Sequence, residues 1–369
     1  MNKIAAIVPY TFLPGQSGGQ KLISGFYGAL GKETELHVIS TPENDVTLQS
    51  AYRFEKKLLS SRFRYADIFS FFRIKNYLLK NQIEWLFIEH PYMGWLAWLL
   101  KKATDTKLAV HTHNVEYQRF GSIGKWWWRV LKIYEGWVLN KADLVFCITE
   151  EDRDTFITQL KVASHKCIVV PYGIPQQSPP ADKEQTKQSV CEELSINHTT
   201  KLLFFNGVLN YQPNLDALNV ILKQINPLLL ASNLNYKLLI AGKNLPVTYQ
   251  GLTAWNDQHI IYLGFVDDID RYTKAADVLL NPVQSGGGVK TKMIEALGMN
   301  TSVVSTKTGA AGVLQELCGE KLLIVPDNDW KAFADAVVTA CNKKLTITNS
   351  FYDQFSWKRI VQRVVNIIY

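Results

Sequence analysis

Cysteine is scarce in this sequence, and its spacing supports neither a metal site nor a disulfide framework. The cysteines are isolated from one another, so no C-x-x-C pair occurs, and their odd number leaves no complete set of pairs. No cluster of histidine and cysteine has the spacing of a zinc site. We therefore expect reduced thiols in a cytoplasmic protein, at Cys147, Cys167, Cys191, Cys318 and Cys341.

Long apolar runs are missing as well. Gly94–Leu100, GWLAWLL, falls well short of the ~20 residues that span a bilayer. The amino-terminal MNKIAAIVPY carries one positive charge and its apolar run ends at Pro9, which predicts a first strand rather than a signal peptide. We expect no transmembrane helix.

Several common nucleotide-binding and catalytic motifs are absent. The stretch PGQSGGQK does not supply the G-x-G-x-x-G of dinucleotide folds, and Val289 stands where a P-loop requires a glycine before its lysine. No G-x-S-x-G serine elbow occurs. These absences argue against a dinucleotide enzyme, a P-loop nucleotidase and a serine hydrolase.

What is present is a regular alternation of short β-branched runs with amphipathic helical patterns. This is typical of parallel sheets covered on both faces, and 369 residues with 47% apolar content suffice for two such domains. The predicted helices include Gln20–Leu30, Trp126–Asn140 and Glu151–Gln159. The predicted strands are Lys3–Val8, Glu35–Ile39, Trp85–Ile88, Lys107–His111, Leu144–Ile148, Cys167–Val170, Leu202–Phe205, Lys237–Ala241, Ile260–Leu263, Val278–Leu280 and Ser302–Val304.

The composition changes between the two halves. Residues 171–190, PYGIPQQSPPADKEQTKQSV, are rich in Pro, Gln and charge, which suits an exposed linker. We predict a Rossmann-like domain over 1–175, a linker over 176–200, a second Rossmann-like domain over 201–355 and a final helix over 356–369. Ligands of doubly wound sheets bind outside the carboxyl ends of the strands, so two facing domains would form a cleft there.

The segment Ala276–Thr306 is the most informative for chemistry. A strand leads into three glycines and then into a helical pattern with two lysines and a glutamate. Glycines permit a close backbone approach, a helix start attracts an anion, and a lysine adds positive charge. The pattern fits a diphosphate cradle, and an ordinary glycine-rich turn is the alternative. The residues concerned are Gly286, Gly287, Gly288, Val289, Lys290, Lys292 and Glu295.

The stretch N-P-x-x-x-G-G-G-V-K-T-K-M-I-E-A-L from Asn281, followed by SVVSTKTGAAGV, resembles the donor-site signature of glycosyltransferase family 4. Other pieces occur in that family's order: a Gly-Gly pair after the first strand, HTHNVEY, VVPYGIP, FNGVLNYQPNLDAL, LLIAGK, LGFVDDIDRYTKAADV and the carboxy-terminal FSWKRIVQRVV. The resemblance spans nearly the whole chain. It implies the GT-B architecture, in which two Rossmann-like domains face across a cleft and the last helix crosses back to the first domain. It also implies a retaining transfer from a nucleotide sugar.

The resemblance implies roles at the donor site. Glu295 matches the glutamate that hydrogen-bonds the ribose hydroxyls, for which a carboxylate is a good acceptor. The glycines, Val289 and Lys290 match the part that holds the diphosphate, and Lys292 shares a helix face with Glu295, with which it could pair. Gly207, in the stretch that opens the second domain, is a further residue expected to bind the donor. The base would contact backbone near Gly264, Phe265 and Val266. We expect a UDP- or GDP-linked sugar as co-substrate, no cofactor and no metal requirement.

Two departures from the family pattern concern the phosphates. The fuller family motif has a glutamate eight residues before Glu295, where this chain has Gly287. No basic residue occurs from Gly207 to Asn219, where many members carry an Arg/Lys pair. Lys290 would have to supply that charge, as in the G-x-K-x-K branch of the family; otherwise the diphosphate would be bound weakly.

The first domain contributes further candidates. His113 aligns with the family's histidine near the transferred sugar, and His111 projects to the same side because side chains alternate along a strand. A satisfied core histidine is the alternative for each. Gly18 and Gly19 begin the first helix and could receive a phosphate or the acceptor, or form a plain turn. The catalytic candidates are therefore His113, Lys290 and Glu295.

The D-x-D of Asp268 and Asp270 binds a divalent metal in another glycosyltransferase fold. Here it precedes a helical pattern, where acidic residues cap the amino end. We therefore predict capping rather than metal binding.

Charge is distributed unevenly along the chain. Residues 1–175 hold 22 Lys and Arg against 16 Asp and Glu, whereas the remainder holds 18 against 17. Arg62–Lys75 and Gly121–Lys132 interleave basic and aromatic residues, which suits an anionic membrane surface. We expect a glycan or lipid-linked acceptor and peripheral contact with the inner face of a membrane. Packing of these aromatics in the core is the alternative.

Two other functions stay open. A sugar-nucleotide epimerase of the same fold would convert its substrate without an acceptor. A non-catalytic GT-B binding protein is suggested by Gly287 and the missing basic pair. The basic residues form no recognised nucleic-acid-binding module, so we expect no nucleic-acid partner.

Overall fold

Two parallel sheets, one in each half of the chain, organise the protein. The computed structural model describes residues 3–15, 17–286, 288–313, 315–343 and 345–369. Contacts within the chain separate it into two compact units. Unit 1 extends to Pro175 and takes in Phe355–Tyr369, and unit 2 is Gln176–Gln354.

The sheet of unit 1 has seven strands in the order β3-β2-β1-β4-β5-β6-β7. Its central strands are buried on both faces, which is why they read as continuous apolar runs. The strand order reverses between β1 and β4, so a crevice opens at their carboxyl ends. The strands are β1 Lys3–Val8, β2 Glu35–Ser40, β3 Arg53–Lys56, β4 Trp85–Glu89, β5 Lys107–His111, β6 Leu144–Cys147 and β7 Cys167–Val169.

Helices cover this sheet. The first begins at a capping box, in which the Ser17 side chain accepts from the backbone N–H of Gln20 and the Gln20 side chain accepts from the Ser17 N–H. The helices are α1 Gly18–Glu33, α2 Phe69–Asn81, α3 Gly94–Thr104, α4 Glu116–Ser122, α5 Trp128–Lys141 and α6 Glu150–Gln159.

Unit 2 contains a six-stranded sheet in the order β10-β9-β8-β11-β12-β13, with its reversal between β8 and β11. The strands are β8 Lys201–Asn206, β9 Tyr236–Ala241, β10 Ile260–Gly264, β11 Val278–Asn281, β12 Ser302–Thr306 and β13 Leu322–Val325. The helices are α7 Lys183–Glu193, α8 Gln212–Val220, α9 Asn226–Leu230, α10 Ile269–Ala275, α11 Thr291–Gly298, α12 Gln315–Cys318, α13 Trp330–Asn342 and α14 Asn349–Phe355.

All eleven predicted strands are present, with ends shifted by at most two residues. The sequence reading missed β3 and β13. β3 reads RFEK and pairs only with β2 at the sheet edge, so it shows no apolar run.

The segment predicted as an exposed linker contains helix α7, which packs on α10. The Lys183 amine donates to the carbonyls of Lys274 (2.6 Å) and Ala276 (2.8 Å) and to the Thr301 hydroxyl (2.7 Å). Lys187 pairs with Asp277 at 2.7 Å. The polar residues that suggested a linker thus include two lysines that fasten this helix to unit 2.

The last helix, α15 Trp357–Ile368, packs on α1 in unit 1. The Trp357 indole lies so close to two glycines that a Cβ on Gly25 would come within 2.2 Å of it, and one on Gly173 within 2.4 Å. The absence of side chains at these two positions makes room for the indole.

Candidate active site

The carboxyl ends of β4 and β5 bring Glu89, His111 and His113 together in unit 1. Nδ1 of His111 lies 3.0 Å from Oε1 of Glu89, and Nε2 of His113 lies 2.5 Å from Oε2. The Tyr27 hydroxyl donates to Oε1 at 2.6 Å. All four side chains are buried, with Glu89 fully so. The two histidines predicted from HTHNVEY are therefore joined through a glutamate that the sequence reading did not single out.

The environment changes the acidity of this cluster. Burial alone would raise the pKa of Glu89, but His111, through charge and a hydrogen bond, and the hydrogen bond from His113 bring it well below its usual range. Burial, with a smaller contribution from His90, lowers the pKa of His113 to about 4. His113 is therefore a neutral imidazole at pH 7, beside an ionised carboxylate.

The start of α1 faces His113. A Cβ built on Gly19 would lie 3.8 Å from Nδ1 of His113. Gly18 and Gly19 are the first residues of a 16-residue helix, where backbone N–H groups have no partner within the helix. The sequence-predicted residues of unit 1 are thus gathered at one edge of its sheet, and a polar group could bind between them.

His90 was also missed by the sequence reading. Its backbone has φ 60° and ψ 164°, a region that only glycine adopts easily. Its ring lies 4.1 Å from that of His113 and stacks on that of Tyr92. Its Nδ1 is 3.2 Å from Oε1 of the buried Glu116. Backbone strain of this kind is common at functional sites. The sequence feature that could have indicated His90 is the charged pair Glu89-His90 at the end of a buried strand.

Glu89, His111 and His113 also satisfy the distance criterion for a metal site among the described residues, with ligand atoms within 4.8 Å of one another. Two ligands of a tetrahedral zinc ion, each about 2.1 Å from it, stand about 3.4 Å apart. The 2.5 Å between Glu89 and His113 is a hydrogen-bond distance, shorter than the separation of two zinc ligands. The arrangement fits a hydrogen-bond network.

In unit 2 the carboxyl ends of β8, β9 and β10 converge on three glycines. A Cβ on Gly242 would lie 2.0 Å from the Gly207 carbonyl oxygen, and the Gly242 N–H donates to the Gly264 carbonyl at 2.7 Å. Gly264 has φ +66°, which favours glycine. Phe265 beyond it is 65% exposed and Val266 is half-buried. Of these, the sequence reading found Gly207, Gly264, Phe265 and Val266.

The glycine-rich loop follows β11 in the same sheet. Gly286 and Gly288 have φ of +86° and +72°, and the Lys290 amine donates to their carbonyls at 2.7 and 3.0 Å. Val289 is half-buried. Gly287 lies outside the described residues. Helix α11 begins at Thr291, so Lys290 precedes the helix rather than belonging to it.

Lys292 and Glu295 are half-buried on α11. The Lys292 amine donates to the Asn206 carbonyl at 3.3 Å and lies 4.7 Å from the centre of the Phe205 ring. The Lys292 amine therefore lies at the carboxyl end of β8 and not beside the Glu295 carboxylate, the partner that the shared helix face suggested. Burial, and to a lesser extent Lys290, lowers the pKa of Lys292 to about 7. An anion there would be stabilised by both lysines.

Asp268 caps helix α10, as predicted: its carboxylate accepts from the Arg271 N–H at 2.9 Å.

The three adjacent tryptophans of unit 1 differ in their exposure to solvent. Trp126 is 85% exposed, whereas Trp127 and Trp128 pack on the core. In the described part of the chain, no helix is long and apolar enough to cross a bilayer.

Comparisons with known proteins place this geometry in a family. The model described as Glycosyltransferase Family 4 matches residues 18–177, and the model described as Glycosyl transferases group 1 matches residues 200–343. Together they include the candidate residues of both units. No curated protein sequence matches the chain.

Solved structures resemble the whole chain at low sequence identity. The Anabaena protein HepE in complex with UDP is 13% identical, with a TM-score of 0.73 over 100% of this chain and 99% of that one. WaaG, a glycosyltransferase involved in lipopolysaccharide biosynthesis, is 13% identical with a TM-score of 0.64 over 99% of each chain. The UDP-GlcNAc 2-epimerase from Methanocaldococcus jannaschii is 14% identical, with a TM-score of 0.64 over 99% of each chain.

At these identities the structural likeness establishes the fold, which is GT-B with two Rossmann-like sheets of seven and six strands. The family models add the sequence relationship over both units. The chain belongs to glycosyltransferase family 4, within the glycosyl transferases of group 1.

Proposed function

We propose that this glycosyltransferase moves a sugar from a UDP- or GDP-linked donor to a glycan or lipid-linked acceptor, with retention at the anomeric carbon and without a metal ion. The observation that carries the proposal is the donor edge of unit 2. There, Lys290 and Lys292 flank the start of α11 and Glu295 follows one turn later. The structure of HepE with bound UDP supports a uridine nucleotide.

The lysines would replace the missing basic pair of the family. Lys290 stands at the glycine-rich loop, and Lys292 reaches the end of β8, where that pair would otherwise follow. In a retaining transfer, positioning and stabilisation of the departing diphosphate provide most of the catalysis. The two amines and the amide groups at the start of α11 would stabilise the growing charge, and Glu295 would accept from the ribose hydroxyls.

The test is a thermal-shift panel of UDP, GDP, ADP and their common sugars. A ligand that binds only the native state raises the melting temperature with the logarithm of its concentration over Kd. We expect one nucleotide class to stabilise the wild type and to lose most of that effect in Glu295→Ala and in Lys292→Met. Glu316→Ala, an exposed carboxylate on α12, is the matched control and should keep the full shift.

If no nucleotide stabilises the wild type, the proposal fails and a non-catalytic protein is favoured. The shared fold with UDP-GlcNAc 2-epimerase requires a second readout. Conversion of the donor to another nucleotide sugar without acceptor would identify an epimerase. Release of UDP or GDP that depends on an added glycan or lipid-linked acceptor would support transfer.

We also propose that unit 1 contacts an anionic membrane. Two segments, residues 62–75 and 121–133, contain seven Lys and Arg against one acidic residue, Asp67. Trp95 contacts the first segment and the residue next to the second, since its indole N–H donates to the Tyr65 carbonyl and its backbone N–H to the Tyr134 hydroxyl. Their apolar side chains that are more than half exposed are Phe63, Ile68, Phe69, Phe72, Ile123, Trp126, Val130 and Ile133. Basic charge around exposed apolar groups suits anionic lipid headgroups.

A further inference from the structure

Glu89 is a buried carboxylate to which the donor chemistry assigns no role. Its oxygens lie within hydrogen-bond distance of three groups that can each donate a hydrogen bond: the Tyr27 hydroxyl, Nδ1 of His111 and Nε2 of His113. An ionised carboxylate can only accept. Because the two histidines hold the pKa of Glu89 below its usual range, all three neighbours act as donors to it.

The hydrogen bond to the Glu89 carboxylate determines the tautomer of His113. A neutral imidazole has a single N–H, and burial keeps His113 neutral by lowering its pKa to about 4. Its proton therefore lies on Nε2, toward Glu89, and Nδ1 is left as an acceptor. Nδ1 is also the atom that faces Gly19 at the start of α1.

The rest of the site keeps the ring in this orientation. The His90 ring packs against that of His113 at 4.1 Å, and the strained backbone of His90 is held by its N–H, which donates to the His111 carbonyl at 2.9 Å. His113 is thus fixed by Glu89 on one edge and by His90 on one face. Its Nδ1 edge is the one directed to the helix start.

We propose that Glu89 is a positioning residue, which holds His113 as the Nε2–H tautomer so that Nδ1 accepts a hydrogen bond from a sugar hydroxyl bound beside Gly18 and Gly19. The sugar as partner rests on the proposed function, whereas the tautomer does not. With the other tautomer, Nδ1 would carry a proton and His113 could no longer accept from the hydroxyl, and a wrong tautomer of this kind also impairs Ser-His-Asp triads.

The tautomer can be read directly from two-bond ¹H–¹⁵N spectra of the protein labelled with ¹⁵N-histidine, without substrate, with the His113 signal assigned from His113→Gln. We expect neutral His113 with its proton on Nε2. Glu89→Gln replaces an acceptor with an amide that also donates, so a large fraction of His113 should carry the proton on Nδ1. Tyr27→Phe removes another donor to the same carboxylate and should leave the His113 tautomer unchanged.

The second measurement is enzymatic activity, followed as the release of UDP from UDP-glucose in the presence of acceptor. Glu89→Gln should lower kcat about tenfold or more with KM for UDP-glucose within about twofold, and this loss should exceed that in Tyr27→Phe, which keeps the carboxylate. Circular dichroism and the melting temperature verify that both variants fold.

A wild-type His113 with its proton on Nδ1, an unchanged tautomer in folded Glu89→Gln, or an unchanged kcat in that variant would overturn the inference. So would a stoichiometric metal ion that is bound by the wild type and lost in Glu89→Gln. A wild type that shows the expected tautomer but neither binds nor uses any nucleotide sugar would refute the proposed function, and the spectra would still decide the role of Glu89 in holding His113.

Discussion

At the scale of single residues, the histidine cluster at the end of β4 and β5 links charge to stability. His113 is surrounded by Glu89 at 2.5 Å, by the rings of His90 and His111, and by the start of α1. Its imidazole is buried and neutral, so folding disfavours its protonation. Burial keeps His113 neutral, so that it can accept a hydrogen bond from a hydroxyl. The same burial makes the stability of unit 1 decrease at acid pH.

The sign of this effect follows from the two pKa values. The pKa of His113 is about 4 in the folded chain and about 6.5 when unfolded. Between these values the unfolded state binds more protons, so the free energy of unfolding rises with pH and is lost on acidification. Glu89, whose pKa is also lowered, acts in the same direction. We expect a loss on the order of 1–3 kcal/mol from His113 between pH 7 and pH 4.

The measurement is the melting temperature of unit 1 by tryptophan fluorescence at pH 7, 6, 5 and 4, since most tryptophans lie in that unit. His113→Gln should flatten the dependence on pH. His165→Gln, which changes an exposed histidine of the same unit, should retain it. An equal slope in wild type and His113→Gln would show that His113 does not carry the effect.

At the scale of elements, the docking of α15 on α1 depends on a glycine. A Cβ at Gly25 would lie 2.2 Å from Nε1 of the Trp357 indole, so the indole would have to move. Gly25→Ala should therefore displace α15 and lower the stability of unit 1 by about 1–3 kcal/mol. The check is the melting temperature of unit 1, with limited proteolysis to detect release of the last helix.

Gly28→Ala is the matched control, because Gly28 lies one turn further along α1 and a Cβ there has no neighbour within 4 Å. It should be neutral or stabilising by up to about 1 kcal/mol, since alanine is the better helix former. If the two variants melt alike, the contact with Trp357 does not limit stability.

At the scale of the whole molecule, the basic and apolar surface of unit 1 predicts binding to an anionic membrane. We expect the protein to sediment with vesicles that contain anionic phosphatidylglycerol and not with neutral phosphatidylcholine vesicles. The bound fraction should fall as salt rises from 50 to 500 mM, since screening weakens the attraction. The double change Phe69→Ser and Phe72→Ser should reduce binding several-fold by removing the apolar part.

Val247→Ser is the control for this experiment, because Val247 is 92% exposed but lies in unit 2. It should bind vesicles like the wild type. Absence of sedimentation at low salt, or equal binding to neutral vesicles, would contradict the proposed membrane contact.

The sequence by itself determined the fold class and indicated most residues of the proposed donor site. Parallel strands buried on both faces appear as short apolar runs between amphipathic helices, and this local pattern needs no knowledge of neighbours. The residues proposed to bind the donor, from Gly286 to Glu295, are close in sequence, so their motif could be recognised directly. For the same reason the Asp268 cap was predicted correctly.

Only the tertiary structure decided the partners that lie far apart in sequence. It joined Glu89 to His113 across 24 positions, fastened α7 to unit 2 through Lys183, and placed Trp357 against Gly25 and Gly173. A buried polar or bulky side chain is stabilised by whichever atoms the neighbouring strand or helix presents, and that choice follows from strand order and packing. The local periodicity of the sequence does not indicate which atoms these partners are.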